Sequence, residues 1–136
     1  MVDPVPTILL VDDEPGMADS IAGMLQHIIP QQTPCRVVTA TNVLQALDVA
    51  DRVLAEHAPL LVVSDFNMGG SLDGLQLLDE IWQVKRDARL VLLSGQPSED
   101  FEERPEFRRV HAFLPKPFDR ESLGALASDF LAGTRA

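Results

Sequence analysis

The sequence predicts a doubly wound α/β domain: a five-stranded parallel sheet with helices on both faces. Three observations predict it. Apolar runs of strand length recur five times, and they are continuous rather than alternating, as strands buried on both faces of a parallel sheet must be. The stretches between them carry apolar residues at helical spacing. The chain of 136 residues is long enough to bury one core but not two. A single domain over 1–136, with its core at about 7–131, is therefore expected.

The runs are "TILLV" near residue 9, "CRVVTA" near 37, "LLVVS" near 62, "RLVLLS" near 92 and "VHAFL" near 112. After the first, Met17, Ile21, Leu25 and Ile28 share one helical face. After the second, Leu47, Ala50 and Leu54 do so, and after the third Leu75, Leu78 and Trp82. Leu123, Leu126 and Phe130 mark the last helix. Met and Trp on such stripes are ordinarily core filler. The fourth intervening segment, "PSEDFEERPEFRRV", differs: it is dense in charge and Pro105 interrupts it. A short or irregular helix is expected there, held to the sheet by Phe101 and Phe107. Frayed ends are expected at about residues 1–5 and 133–136.

Composition narrows the function. Apolar residues make up 46% of the chain, which fits a globular, soluble protein. No apolar run reaches the roughly 18 residues of a membrane span, and "MVDPVP" has no secretory character. The single cysteine, Cys35, excludes an internal disulfide and fits a reducing compartment; cytoplasm is the expected location. It opens the second run and reads as a small buried thiol. The net charge of −10 argues against nucleic acid, whose phosphates need a basic stripe. His27, His57 and His111 stand at helix ends or a strand start and read as structural or surface residues.

In an open parallel sheet, sites form beyond the carboxyl ends of the strands. The first run ends in Asp12-Asp13-Glu14 and the third in Asp65. The fourth ends in Ser94-Gly95, and the fifth leads to Lys116 between two prolines. Two carboxylates about 4 Å apart repel by roughly 4 kcal/mol at an effective dielectric near 20. A cation removes that cost, and oxygen-only ligands with waters suit Mg²⁺. A carboxylate beside a metal can attack phosphorus, with metal and ammonium neutralising the phosphoryl oxygens. Asp65 is then the nucleophile, Lys116 part of the electrostatic clamp, and Ser94 a hydroxyl for a phosphoryl oxygen. The ordinary reading of the same residues is acids capping helices, a serine ending a strand and a lysine on a loop.

At these residues the chain resembles the response-regulator receiver domain of bacterial two-component signalling. "ILLVDDEP" resembles the family's acidic pair, "VVSDFNM" its acceptor strand and "DGLQLLDEI" the start of its third helix. "VLLSG" resembles its hydroxyl position and "FLPKPF" its lysine, and the similarity runs from about Thr7 to Leu131. The resemblance implies a flavodoxin-like strand order 2-1-3-4-5. It implies that Asp65 accepts phosphate from a phosphohistidine on a histidine kinase or histidine phosphotransfer protein. It further implies Mg²⁺ (or Mn²⁺ in its place) held by Asp12, Asp13, Asp65 and the Asn67 backbone carbonyl, with Asp12 acting through water. The Lys116–Pro117 bond would be cis. Ser94 and Phe113 would move together as a switch, altering the surface of the fourth helical segment, fifth strand and last helix for a downstream protein target. Asn67 and Gln96, two residues beyond Asp65 and Ser94, would flank the phosphoryl group and tune phosphate lifetime. Glu14 is expected to cap the first helix. Homodimerisation stays open.

Two features depart from the family. After Asp65 the chain reads "NMGGSLDG", with Gly69 where proline is usual and one extra residue; Met68 reads as a loop anchor. The other is the Pro-interrupted segment at 99–109. No effector domain follows Leu131 in this sequence, so the expected output is protein contact, or the sequence is one domain of a larger kinase or regulator. A phosphorylation-independent interaction module is the alternative, although the acids, acceptor and lysine it would lack are all present. A Mg²⁺-dependent aspartyl-phosphate phosphohydrolase is more remote. Such enzymes carry an acid two residues after the nucleophile, where this chain has Asn67.

Overall fold

A computed structural model describes residues 4–134. Eleven elements follow in order: β1 Thr7–Val11, α1 Pro15–Ile28, β2 Arg36–Ala40, α2 Val43–Ala55, β3 Leu60–Asp65, α3 Gly74–Val84, β4 Arg89–Ser94, two 3₁₀ turns at Ser98–Asp100 and Pro105–Arg109, β5 Ala112–Pro115 and α4 Arg120–Gly133. All strand pairs are parallel, in the order β2-β1-β3-β4-β5. The expected fold and strand order are both present.

Alternation along each strand explains why the runs are continuously apolar. Leu9, Val11, Leu60, Val62, Leu90 and Leu92 enter one core with Leu75, Leu78 and Ile81 of α3. Their neighbours Ile8, Leu10, Leu61, Val63, Val91 and Leu93 enter the other, with Ile21 and Leu25 of α1 and Leu123 and Phe130 of α4. The two edge strands are the exceptions: β2 fully buries only Ala40, and β5 only Leu114.

The helical stripes are present with local corrections. Met17 and Leu54 are 39% and 43% exposed, because α2 buries Ala46, Ala50 and Val53 instead and Met17 lies on the open first turn of α1. Trp82 is only half-buried, and the guanidiniums of Arg86 and Arg109 stand 4.2 and 4.1 Å from its ring centroid. Cys35 is also half-buried rather than buried. The segment around Pro105 forms the two 3₁₀ turns, with Phe101 inside at 2% exposure and Phe107 against the same core. The proline opens the second turn, where its missing N–H costs nothing. Of the frayed ends expected, residues 1–3 and 135–136 lie outside the described residues, while α4 continues to Gly133. Among the described residues no helix is long and apolar enough to cross a membrane.

Candidate functional site

The strands deliver their carboxyl ends to one edge in register. Val11 pairs with Ser64, Asp65 with Leu93, and Ser94 with Pro115. The residues just beyond, Asp12-Asp13 and Lys116, are thereby carried to Asp65. One carboxylate oxygen from each of Asp12, Asp13 and Asp65 lies within 4.8 Å of the others. Lys116 Nζ stands 2.9 Å from Asp65 Oδ1. The ammonium lies off the directions a hydrogen bond to that oxygen needs. This buried oxygen therefore has a charge partner and no hydrogen bond.

Asp12 and Asp65 are 3% and 5% exposed, whereas Asp13 is exposed. Asp12 Oδ1 accepts the Glu14 N–H at 2.9 Å. Burial pushes the Asp12 carboxyl above the ordinary range; the Glu14 N–H opposes this, the Asp65 charge adds to it, Lys116 offsets part and Asp13 adds again. Folding thus raises this carboxyl above its usual 3.8, so at neutral pH its charge costs stability, and the cost disappears in acid. Three crowded carboxylates, oxygen donors alone and one buried oxygen without a hydrogen bond fit a hard divalent cation such as Mg²⁺.

The other expected residues take supporting positions. Ser94 is 1% exposed, and its Oγ accepts the Gln96 N–H at 3.0 Å. Asn67 and Gln96 are exposed in the loops after β3 and β4. The Lys116–Pro117 peptide is cis, and Lys116 N–H donates to Ser94 O at 2.8 Å. Phe113 is half-buried, its ring 6.1 Å from that of Phe101. Met68 packs against the core as an anchor. Glu14 does not cap α1: it sits at the N-cap with no side-chain cap bond, its backbone N–H being held by Asp12.

Sequence reasoning missed several neighbours. Phe66, directly after Asp65, packs its ring at a tilt with its centroid 4.6 Å from that of Phe101, making Phe101 the hub of a ring cluster that reaches Phe113. Asp73 caps α3 in a capping box with Gln76 and accepts both terminal nitrogens of Arg104 at 3.0 and 3.2 Å. The spacing "DGLQ" signals that box; nothing local signals an arginine 31 residues away.

A family model for the response regulator receiver domain matches residues 8–128. The chain is similar to response regulator Rre1 of Synechocystis sp., 33% identical over 141 aligned positions covering 100% of this chain and 55% of Rre1. It is 33% identical over 120 positions to the nitrogen assimilation regulatory protein NtrX of Azorhizobium caulinodans, covering 85% of this chain and 24% of NtrX. The chain thus spans about half the length of the first relative and about a quarter of the second. Among solved structures, a response regulator receiver domain protein of Clostridium thermocellum shares the fold with a TM-score of 0.79 at 20% identity, over 96% of this chain and 98% of that one. Response regulator TrrA of Thermotoga maritima, in complex with Mg(2+)-BeF, shares it with a TM-score of 0.72 at 24% identity, over 93% of this chain and 99% of that one.

Proposed function

The chain belongs to the response regulator receiver family, and from that premise we propose that Asp65 accepts a phosphoryl group from a phosphohistidine and that the protein acts as a phosphorylation-driven switch or relay. The observation that carries this reading is the 2.9 Å approach of Lys116 Nζ to Asp65 Oδ1 beside two further carboxylates. Receiver domains bind Mg²⁺ at such an aspartate cluster; here Asp12, Asp13, Asp65 and the Asn67 carbonyl would hold it, with Mn²⁺ able to substitute. When bound, the metal neutralises negative charge on the phosphoryl oxygens. An Asp65 carboxylate oxygen attacks phosphorus, the P–N bond of the donor breaks, and its electron pair stays on the imidazole. Lys116 compensates charge on the acyl phosphate. Ser94 gives up its local role as acceptor and donates to a phosphoryl oxygen, and the Phe113 ring follows it inward. The added charge of up to about −2 biases an existing equilibrium of surfaces. A downstream protein reads the face of the 98–109 segment, β5 and α4. A histidine kinase or phosphotransfer protein as donor, and a cytoplasmic location, belong to the same reading.

Transfer from a phosphohistidine-bearing donor tests it. Label should pass to the wild-type chain and not to Asp65→Asn, and hydroxylamine should release it as an acyl phosphate does. Label retained by Asp65→Asn would contradict the assignment. Hydrolysis returns the carboxylate and inorganic phosphate, and Asn67 and Gln96 set its rate through access of water. Replacing both should change the dephosphorylation rate about tenfold or more, as groups acting on proton transfer and water positioning do. An unchanged lifetime would remove that role.

A further inference from the structure

The 3₁₀ segment between β4 and β5 is fastened sideways. Among the described residues, both of its ion pairs to another element run to α3: Arg104 Nη1 to Asp73 Oδ2 at 3.0 Å, and Arg109 Nη1 to Asp79 Oδ1 at 2.8 Å. Arg104 Nη2 also donates to Asp73 Oδ1 at 3.2 Å, so this pair is a two-pronged fork of fixed geometry. Both members are held from behind. Arg104 Nε donates to Glu106 Oε1 at 3.0 Å, and the Asp73 carboxylate caps α3. The Arg109 guanidinium in addition lies over the Trp82 ring, 4.1 Å from its centroid.

The start of α3 is itself fixed to the sheet. Gly74 N–H donates to Phe66 O at 2.8 Å, and not even a methyl group would fit between Gly74 and the end of β3. The other end of the segment is tied to the switch. Pro97 opens its first turn, and the Gln96 N–H just before rests on Ser94 Oγ at 3.0 Å. When Ser94 turns to a phosphoryl group on Asp65, that hydrogen bond breaks and the chain at 96–97 takes another course. The pull then reaches a segment clamped to a helix that cannot follow. The partly exposed ion pairs yield before the buried Phe101 packing does.

We propose that Arg104 and Arg109 latch the 98–109 segment to α3 and so restrain the molecule from its phosphorylated arrangement. The inference rests on the phosphorylation reading above. Charge alone would act with the opposite sign: removing an arginine weakens attraction for an anionic phosphodonor and slows transfer, whereas opening the latch speeds it. Arg108, exposed in the same turn, supplies the control for charge.

The test is the rate of phosphorylation by acetyl phosphate with Mg²⁺, followed as intact mass, for wild type, Arg104→Gln, Arg109→Gln and Arg108→Gln, with thermal melts to establish that each is folded. Arg104→Gln and Arg109→Gln should each react about twofold to fivefold faster than wild type, the range a partly exposed ion pair can contribute. Arg108→Gln should react no faster. A second measurement needs no variant, because Trp82 is the single tryptophan. Mg²⁺ with beryllofluoride, a phosphoryl mimic, at the concentration that blocks acetyl phosphate should raise quenching of wild-type Trp82 by acrylamide as Arg109 leaves the ring. Arg104→Gln and Arg109→Gln no faster than wild type, Arg108→Gln accelerated equally, or Trp82 unmoved by beryllofluoride would each overturn the latch while leaving the acceptor reading standing. A wild type that takes up no phosphoryl group would overturn both.

Discussion

His111 lends its side chain to the sheet. Its Nδ1 accepts the Leu90 N–H at 3.0 Å while its own backbone N–H donates to Leu90 O at 2.8 Å. An accepting Nδ1 carries no proton, so the ring is neutral and its proton sits on Nε2. Burial and then the Arg89 charge hold its pKa below the usual 6.5; Asp129 also lines the cavity beside it. As pH falls, the unfolded chain takes up the proton first. The contribution is therefore full above about pH 6.5 and is lost as pH falls through the lower folded value. Urea midpoints should fall between about pH 7 and pH 5, and His111→Gln should lose that part of the slope. A variant that follows the wild-type curve would assign the slope elsewhere.

At the scale of elements, the first turn of α3 fixes the end of β3. Gly74 N–H donates to Phe66 O at 2.8 Å, and a Cβ at Gly74 would lie 2.2 Å from Asp65 O and 2.7 Å from Phe66 Cα. Those are backbone atoms that cannot rotate aside. Gly74→Ala should therefore destabilise by about 1–3 kcal/mol, the usual cost of overpacking, and slow phosphorylation by displacing Asp65. Urea denaturation reads the first effect, and a variant as stable as wild type would contradict the packing. The elements themselves were legible because burial on both faces writes unbroken apolar runs, and the acids, serine and lysine were legible because each follows such a run directly. Met17 and Leu54 misled because helical spacing identifies a face without saying which residues of it the sheet covers. The Arg104–Asp73 pair was not legible, since only the finished topology brings its members together.

Taken whole, the molecule gathers its site at one edge and ties that edge to a distant face. Asp73 and Asp79, at the start and middle of α3, accept Arg104 and Arg109 from the 3₁₀ segment, and the rings of Phe66, Phe101 and Phe113 run from beside Asp65 to β5. The ion pairs are partly exposed and contribute modestly; the ring cluster, centred on the buried Phe101, carries more of the packing. A charge change at Asp65 would therefore act on a molecule whose site loop and 3₁₀ segment touch through both polar and aromatic contacts. The intact mass of the protein after incubation with Mg²⁺ and acetyl phosphate, beside Asp65→Asn and an EDTA control, tests the central claim most directly. A gain of one phosphoryl group, absent from both controls, is the predicted result. No adduct on the wild type, even with a phosphorylated kinase supplied, would contradict it and leave a module that binds partners without phosphorylation.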